Sequence, residues 1–284
     1  MTDFPAPTGF PAQTGFPARA GLPTLIAVAH GTRSPDGRRQ IERLAAAVAR
    51  RRPGLDVRLC YVDVQEPKVA DVVPTVRDAV VVPLLLSCGY HVRVDIADAV
   101  KSTHFPVTAP LGPDPVFLDS MRRNLPDADA VVLASAGSSD PLWVAGIREV
   151  AAQLSDSSGE RSVRDAGGDG GQRVKDAGSD GRRLAVGAGG GDGRWAGNGR
   201  RRVELGYTSG SGPRVNDVVD RLRAEGARTV AVAAYLLAEG LFYRTLHSAG
   251  ADSVTPPLCH EPAVADLVLQ RFDSALLTTA GSRL

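Results

Sequence analysis

The sequence predicts an α/β fold made of two homologous halves, each with a mainly parallel sheet covered by helices. Apolar, β-branched runs that predict strands alternate with segments whose apolar residues recur at i, i+3, i+4 and i+7, as in amphipathic helices. Alternation of this kind is typical of βαβ units. The same turn motifs also occur in the same order in the first and second parts of the chain, which indicates an internal repeat.

The individual elements follow from these patterns. The predicted strands are residues 25–29, 57–64, 80–86, 130–134, 203–207 and 229–237. The predicted helices carry the apolar sets Ile41, Leu44, Ala45 and Val48; Ile147, Val150, Ala151 and Leu154; and Val215, Val218, Val219 and Leu222. Four prolines suit the first turn of a helix, where the missing N–H costs nothing: Pro35, Pro67, Pro141 and Pro213.

The repeat consists of paired motifs. Ala29-His-Gly-Thr-Arg-Ser-Pro35 aligns with Ser135-Ala-Gly-Ser-Ser-Asp-Pro141, and Tyr61-Val-Asp-Val-Gln-Glu-Pro67 aligns with Tyr207-Thr-Ser-Gly-Ser-Gly-Pro213. Further along, Gly89 aligns with Gly240, and Pro110-Leu-Gly-Pro-Asp-Pro115 aligns with Pro257-Leu-Cys-His-Glu-Pro262. Both halves therefore keep the glycines and prolines that their turns require.

Two segments lie outside the repeat. Residues 1–23 are rich in proline and residues 155–201 are rich in glycine, and both compositions predict disorder. We expect a disordered tail at 1–23, a first half at 24–126 that carries the site, and a degenerate second half at 127–284 that contains the glycine-rich insertion.

Composition excludes several function classes. The formal net charge of +1 gives no general attraction for nucleic acid or an acidic membrane. No apolar run approaches the roughly 18 residues of a membrane span. The three cysteines form neither a CxxC pair nor an even disulfide framework. We therefore expect a cytoplasmic protein that binds neither nucleic acid nor membrane.

Three chemically capable residues of the first half have no counterpart in the second. His30 aligns with Ala136, Glu66 with Gly212, and His91 with Phe242. Each of the three lies near the end of a predicted strand, and ligands of parallel sheets bind at that edge. Two imidazoles and a carboxylate suit a divalent ion such as Fe²⁺, Co²⁺, Ni²⁺ or Zn²⁺, and they can also accept protons. This pattern predicts one functional site beside a degenerate copy.

Each of these residues also has a simpler interpretation. His30 alone fits a turn histidine that bonds backbone carbonyls, and Glu66 alone fits an acid at a helix N-terminus. Their combination on adjacent βα units favours a functional site. His247 and His260 in the second half are interpreted as loop histidines. Asp95 fits either a residue that orients the loop of His91 or the cap of the next helix, and the cap is favoured.

At these residues the sequence resembles the sirohydrochlorin chelatase family of the CbiX and SirB type, the class II chelatases. The resemblance is carried by His30-Gly-Thr-Arg33, Glu66-Pro67 and Pro83-Leu-Leu-Leu-Ser-Cys-Gly-Tyr-His-Val-Arg-Val-Asp-Ile96. Thr32 stands where the family pattern has serine. The resemblance is strong over about residues 24–126 and weak over residues 127–284.

The resemblance implies two flavodoxin-like, chelatase-type halves that face a cleft. It implies a lyase that inserts Fe²⁺ or Co²⁺ into sirohydrochlorin without ATP, on the route to siroheme or cobalamin. In that reaction His30 and His91 bind the metal, and one of the catalytic residues, His30 or Glu66, accepts protons. The substrate-binding residues are Arg33, Glu66, Leu86, Ser87, Cys88, Gly89, Tyr90 and His91. Arg33 and Arg93 suit the carboxylates of the macrocycle, and Gly89 suits close backbone approach.

The same resemblance sets the expected partners. They are sirohydrochlorin and a divalent metal, with no permanently bound cofactor because Fe²⁺ or Co²⁺ is a substrate. Iron for siroheme is favoured slightly. A monomer is expected, since two fused halves form by themselves the cleft that single-half relatives build by pairing.

Three other functions fit parts of the sequence. A metal or tetrapyrrole carrier needs the same ligands but has less need for Glu66. Histidine phosphatases also place His-Gly-x-Arg after a strand, but they require an arginine before the histidine, where this chain has Ala29. An interaction scaffold leaves the loss of the three capable residues from the second half unexplained.

Overall fold

The computed structural model describes residues 21–87, 89–138, 140–156 and 201–281. It contains two parallel sheets, one in each half of the chain, and so confirms the predicted α/β fold. The segments expected to be disordered lie almost entirely outside these ranges, and the expected boundary near residue 127 stays a prediction.

The first half forms a three-stranded sheet in the order β2-β1-β3. Its elements are β1 (Thr24–Ala29), α1 (Pro35–Arg51), β2 (Val57–Tyr61), α2 (Val69–Val72), a 3₁₀ turn (Val73–Thr75), β3 (Ala79–Pro83), α3 (Tyr90–Val100) and α4 (Pro115–Asn124).

The second half forms a four-stranded sheet in the order β5-β4-β6-β7. Its elements are β4 (Ala130–Ser135), α5 (Pro141–Ser155), β5 (Arg202–Tyr207), α6 (Val215–Ala224), β6 (Val230–Tyr235), α7 (Leu241–Leu246), β7 (Ser253–Val254), a 3₁₀ turn (Leu258–His260) and α8 (Ala263–Gly281). No helix in the described ranges has the length and apolar character that crossing a membrane would require.

Backbone pairing supports the repeat residue by residue. Ala29 pairs with Tyr61 where Ser135 pairs with Tyr207. In the first half, the N–H of Tyr61 donates to the carbonyl of Pro67 at 3.0 Å. In the second half, the N–H of Tyr207 donates to the carbonyl of Pro213 at 2.8 Å. The two halves therefore fold to the same local plan despite their different site residues.

The helices α1 and α5 begin alike. Ser34 caps α1 by accepting from the N–H of Gly37 at 3.4 Å, and Asp140 caps α5 by accepting from the N–H of Leu142 at 2.9 Å. A proline occupies the first turn of each helix, as predicted. Polar caps at these positions satisfy backbone donors that the helix itself leaves unpaired.

Other helix starts differ from the predictions. Pro67 and Pro213 precede α2 and α6 instead of entering them, because their carbonyls close the preceding loop onto Tyr61 and Tyr207. Asp95 lies inside α3, whose cap is Gly89, so its prediction as a helix cap is wrong.

Three strands are shorter than the sequence predicts, and the run at 229–237 is a strand only over Val230–Tyr235. The run at 57–64 ends as a strand at Tyr61, because the chain turns at Asp63 and Val64, whose φ is +63°. The run at 80–86 ends at Pro83. Beyond Leu84, whose N–H reaches the carbonyl of Val28 at 2.8 Å, the neighbouring strand β1 has ended and offers no further partners.

The halves exchange their last helices across a shared core. Helix α4 of the first half packs against β6 and α5, and helix α8 of the second half packs against α1 and β3. Phe117 of α4 and Phe272 of α8 are both fully buried in one apolar cluster that contains side chains from both sheets. Each half therefore supplies a helix to the packing of the other.

Candidate functional site

The loops after β1 and β2 carry His30 and Glu66 and are bonded to each other. The N–H of Asp63 donates to the carbonyl of His30 at 3.0 Å. The N–H of Thr32 donates to the side-chain Oε1 of Gln65 at 2.8 Å. Gln65 is almost fully buried, so this second bond is shielded from water. Two loops from adjacent strands are thereby held together at the carboxyl edge of the sheet.

Gly31 permits this close approach. Its φ is +98°, a conformation that side-chain-bearing residues rarely adopt, and a Cβ at this position would lie 2.0 Å from the carbonyl oxygen of Asp63. The glycine after His30 is therefore required by the backbone. It sets the distance between the two loops.

The side chains of His30 and Glu66 are both exposed to solvent. Lys68 lies nearby, with its Nζ 4.0 Å from Glu66 Oε1 and 3.9 Å from Asp63 Oδ1. Because α2 begins at Val69 with Lys68 as its cap, Glu66 does not lie in a helix N-terminal turn. An accessible imidazole and an ionised carboxylate can accept protons or bind a metal.

The backbone of His91 lies in the first turn of α3, not in the loop that the sequence predicts. Helix α3 follows β3, which is adjacent to β1, so His91 and His30 follow the carboxyl ends of neighbouring strands. Cys88 and the side chains of Tyr90 and His91 lie outside the described part of the structure. The predicted pairing of the two histidines therefore stays a prediction.

Arg33 is exposed in the loop after β1. Gly89 has open space around it, since a Cβ there would meet no atom within 4 Å. Among the residues that the structure describes, no three histidine, cysteine, aspartate or glutamate side chains are grouped as a metal site.

A cavity of about 570 Å³ lies between the two halves. Leu86 and Ser87, which the sequence predicts to contact substrate, line it together with Arg93 of α3. The second half contributes side chains from α5 and from the end of β6, including Trp143 and Tyr235. Two residues of the predicted substrate loop therefore border a space that both halves form.

Tyr235 is a polar group of this cavity that sequence reasoning missed. The residue is only 4% exposed, and its hydroxyl has no hydrogen-bond partner among the described residues. Burial raises the pKa of this tyrosine, with a further contribution from the negative charge of Asp114. Its place at the end of an apolar strand predicts a core residue. The signal that could have found it is its alignment with Leu84, which has no polar group.

The second half repeats the backbone of the site without its chemistry. The N–H of Ser209 donates to the carbonyl of Ala136 at 3.1 Å, where the first half has Asp63 and His30. Gly137 has a φ of +89°, close to that of Gly31. Phe242, the counterpart of His91, is 40% exposed. The turns are kept, but the capable side chains are absent from these positions.

The two remaining histidines of interest lie elsewhere. His247 caps the end of α7 and contacts the ring of Tyr243 edge-on at 5.2 Å between ring centroids. His260 is exposed in the 3₁₀ turn before α8. Neither is among the described residues that line the cavity.

Comparisons with known proteins agree with this architecture. The family model of CbiX matches residues 24–128 and 191–275 of the chain. Among curated proteins, none matches the sequence significantly.

Several solved structures have the same fold. SirB from Bacillus subtilis with Fe³⁺ aligns with a TM-score of 0.63 and 17% identity, over 91% of this chain and 97% of that one. The sirohydrochlorin chelatase SirB from Bacillus subtilis subspecies spizizenii in complex with cobalt aligns with a TM-score of 0.62 and 16% identity, over the same shares. CbiX, described as the terminal enzyme for siroheme biosynthesis in denitrifying bacteria, aligns with a TM-score of 0.56 and 16% identity, over 89% and 99%.

Proposed function

Because the chain belongs to the CbiX family, we propose that it is a sirohydrochlorin chelatase, a lyase that inserts Fe²⁺ or Co²⁺ into sirohydrochlorin without ATP. Family membership supports metal insertion into this macrocycle as the reaction class. Solved structures of the same fold described as holding Fe³⁺ or cobalt support iron or cobalt as the substrate metal. We favour iron, and hence the route to siroheme, over cobalt and the route to cobalamin.

The reaction exchanges two protons for one divalent ion. Two pyrrole N–H bonds break, the nitrogens bind the metal, and two protons leave. The protein must therefore present a metal that has lost part of its water shell, and it must accept protons at the same place. A neutral imidazole can bind the partly dehydrated metal, and an imidazole or a carboxylate can accept the protons.

The residues of the first half supply these groups. His30 and His91 bind the incoming metal, and His30 or Glu66 takes the pyrrole protons. Lys68 lies beside Glu66, and the exposure of Glu66 lets the proton pass on to water. The macrocycle enters beside Leu86–His91, with Arg33 and Arg93 toward its carboxylates.

The observation that carries the proposal is the cross-linking of the loops that hold His30 and Glu66. The bonds from Asp63 to His30 and from Thr32 to Gln65 tie these two loops together at one edge of the sheet. The matching edge of the second half has the same turn but carries Ala136 and Gly212. This difference favours a reactive site over a structural turn.

The test follows the absorbance of anaerobic sirohydrochlorin during addition of Fe²⁺ or Co²⁺. Wild-type protein is expected to complete many turnovers above the spontaneous rate, and His30→Ala to lose at least about a hundredfold, within the range for general acid–base groups. His260→Ala removes an exposed histidine of the second half and serves as the matched control, with an unchanged rate.

Two results would contradict the proposal. A wild-type rate equal to spontaneous insertion with both metals would exclude catalysis. Uptake that stops at one equivalent of metal or macrocycle would instead identify a carrier.

A further inference from the structure

The interface between the halves is closed on one side of the molecule and open on the other. On the closed side, Gln40 of α1 donates from Nε2 to Glu239 Oε1 at 2.8 Å and accepts from the N–H of Glu239 at 2.7 Å. Gly37 allows this contact, since a Cβ there would lie 1.9 Å from the carbonyl oxygen of Glu239. Helix α1 and the loop after β6 are thus in direct contact.

The open side is the equivalent junction of α5 with the loop after β3. The repeat aligns Gln40 with Gly146 and Gly37 with Trp143, and both of these α5 residues line the cavity. A bulky ring replaces the glycine that permits contact, and a glycine replaces the glutamine that fills the space. A Cβ on Gly146 would meet nothing closer than Pro113 Cγ at 3.8 Å. The cavity therefore exists because α5 departs from the plan of α1.

One residue that lines this cavity, Tyr235, has a polar group without a partner in the described part of the chain. The hydroxyl of Tyr235 is buried without a hydrogen bond among the described residues, although Gly112 brings the backbone close to it. A buried hydroxyl without a partner carries a desolvation cost, which an acceptor on a ligand would remove. The raised pKa of this phenol keeps it protonated at neutral pH, so it acts as a donor.

The other residues that line the cavity indicate what kind of ligand it suits. Ile96, Trp143 and Ile147 give an apolar wall, while Arg93 contributes a positive charge. Asp140 also lines the cavity, but its Oδ1 accepts the N–H of Leu142 at the start of α5, where the helix dipole offsets its charge. The volume falls within the range of about 300–1,000 Å³ that is typical of ligand sites. This chemistry suits an apolar ring edge that bears an anionic arm.

We propose that Tyr235 is a substrate-binding residue contributed by the second half, whose hydroxyl donates to a peripheral carboxylate of the macrocycle held in this cavity. The inference rests on the proposed function. Arg93 supplies the charge for the same arm, and Tyr235 supplies the directed hydrogen bond. The second half thus selects and orients the substrate, although it lacks the metal-binding and proton-accepting residues of the first.

Tyr235→Phe tests this assignment, because it removes the hydroxyl and keeps the ring that packs edge-on against Phe117 at 6.2 Å between centroids. Binding of metal-free sirohydrochlorin is measured by fluorescence titration, and insertion by absorbance. The dissociation constant and KM are expected to rise about tenfold, the factor that corresponds to about 1.4 kcal/mol. The value of kcat is expected to change less than threefold, and Tm not to fall.

Two further variants separate binding from folding. Tyr243→Phe removes a second buried hydroxyl of the same half, one that donates to the carbonyl of Thr255 at 3.0 Å and lies outside the cavity lining. It is expected to lower Tm and leave sirohydrochlorin binding unchanged. Gly146→Gln introduces the side chain of its counterpart Gln40 into the cavity and is expected to weaken binding at least tenfold.

The outcomes distinguish this inference from the proposed function. Turnover by wild type with an unchanged dissociation constant and KM in Tyr235→Phe would overturn the role of Tyr235 alone. Binding that depends on Tyr235 without any insertion would support the inference and overturn the chelatase function. Wild-type protein that does not bind sirohydrochlorin would overturn both.

Discussion

The two halves of this protein share a backbone plan but differ in what they place on it. The first half carries His30 and Glu66 on cross-linked loops, while the same turns in the second carry Ala136 and Gly212. Conversely, the second half contributes the buried hydroxyl of Tyr235 to the cavity between them. The comparison separates residues that the fold requires from residues that the chemistry requires. It also suggests a division of labour, with metal and protons at the first half and substrate orientation at the second.

The largest loss of stability is expected on substitution of the glycines that follow His30 in the first half and Ala136 in the second. Gly31→Ala and Gly137→Ala both force a side chain into a positive φ and within 2.0 Å or 2.3 Å of a carbonyl oxygen. Each is expected to lower the free energy of unfolding by at least about 2 kcal/mol. Urea unfolding measures the free energy of unfolding of each variant. The rate of metal insertion by the folded protein is then compared between the two variants. Gly31→Ala should reduce the rate strongly and Gly137→Ala much less; equal losses of activity would contradict the assignment of the site to the first half.

A smaller effect is expected at the closed interface between the halves. Gln40→Ala removes two partly buried hydrogen bonds to Glu239 and leaves the backbone N–H of Glu239 without this acceptor. The expected loss is about 2–3 kcal/mol in the free energy of unfolding. Gln153→Ala on α5 is the matched control, because its amide bonds Glu149 at the surface. A cost below about 0.5 kcal/mol is expected for that control, and similar losses for both variants would argue against a special role for the closed interface.

The bond between Gln65 and Thr32 tests whether the two site loops must be held together. Gln65→Ala is expected to cost about 1–2 kcal/mol of stability and to reduce kcat about tenfold, because Glu66 is no longer fixed beside the loop of His30. Ser211→Ala changes the aligned but exposed position of the second half. Unfolding and insertion rates are compared for both; a Gln65→Ala enzyme with normal kcat would show that loop cross-linking is not needed for the reaction.

The smallest effect is expected on the stability of the protein at low pH. Two carboxylates of the second half contribute to it, and the first half has no counterpart of either. Backbone N–H groups of Thr229 and Arg228 lower the pKa of Asp129, and the N–H of Val230 lowers the pKa of Asp252. The aligned first-half positions are Pro23 and Phe105. A carboxyl group whose pKa is lowered by folding stabilises the protein above its unfolded-state pKa of about 3.9. This stabilisation is lost as the pH falls through the pKa of the folded state.

Urea unfolding between pH 7 and about pH 2.5 checks this expectation. The double variant Asp129→Asn and Asp252→Asn should be less stable at pH 7 and show a shallower loss of stability below about pH 4. Asp98→Asn, which removes a surface carboxylate 3.8 Å from Lys101, is the control and should keep the wild-type slope. An unchanged slope in the double variant would show that these two carboxylates do not set acid sensitivity.

Much of the fold could be predicted because each repeated motif determines the structure of a short segment of the chain. Motifs such as Ala29–Pro35 and Ser135–Pro141 fix the same strand end, turn and helix start, and pairing of Ala29 with Tyr61 reproduces that of Ser135 with Tyr207. Helix exchange could not be predicted, because the burial of Phe117 and Phe272 depends on contacts between distant parts of the chain.

The site was only partly predictable for related reasons. His30, Glu66 and His91 are recognisable because their counterparts lack reactive groups. The placement of His91 on α3 depends on where the loop after β3 ends, and no proline or polar cap marks that point. The alignment of Tyr235 with Leu84 could have drawn attention to this residue, but the place of Tyr235 and Gly146 beside the cavity depends on how the halves pack, which no local pattern reveals.

The most direct test of the division between the halves compares two aligned positions, His91 and Phe242. The rate of Fe²⁺ or Co²⁺ insertion at saturating sirohydrochlorin is measured for His91→Ala and Phe242→Ala. Loss of a group that only supports a metal ligand costs about 10–100-fold, so loss of His91 as a ligand is expected to cost at least about a hundredfold. Phe242→Ala is expected to stay within about threefold of wild type, because it removes neither a ligand nor a proton acceptor. Equal losses, or a larger loss for Phe242→Ala, would contradict the assignment of the chemistry to the first half.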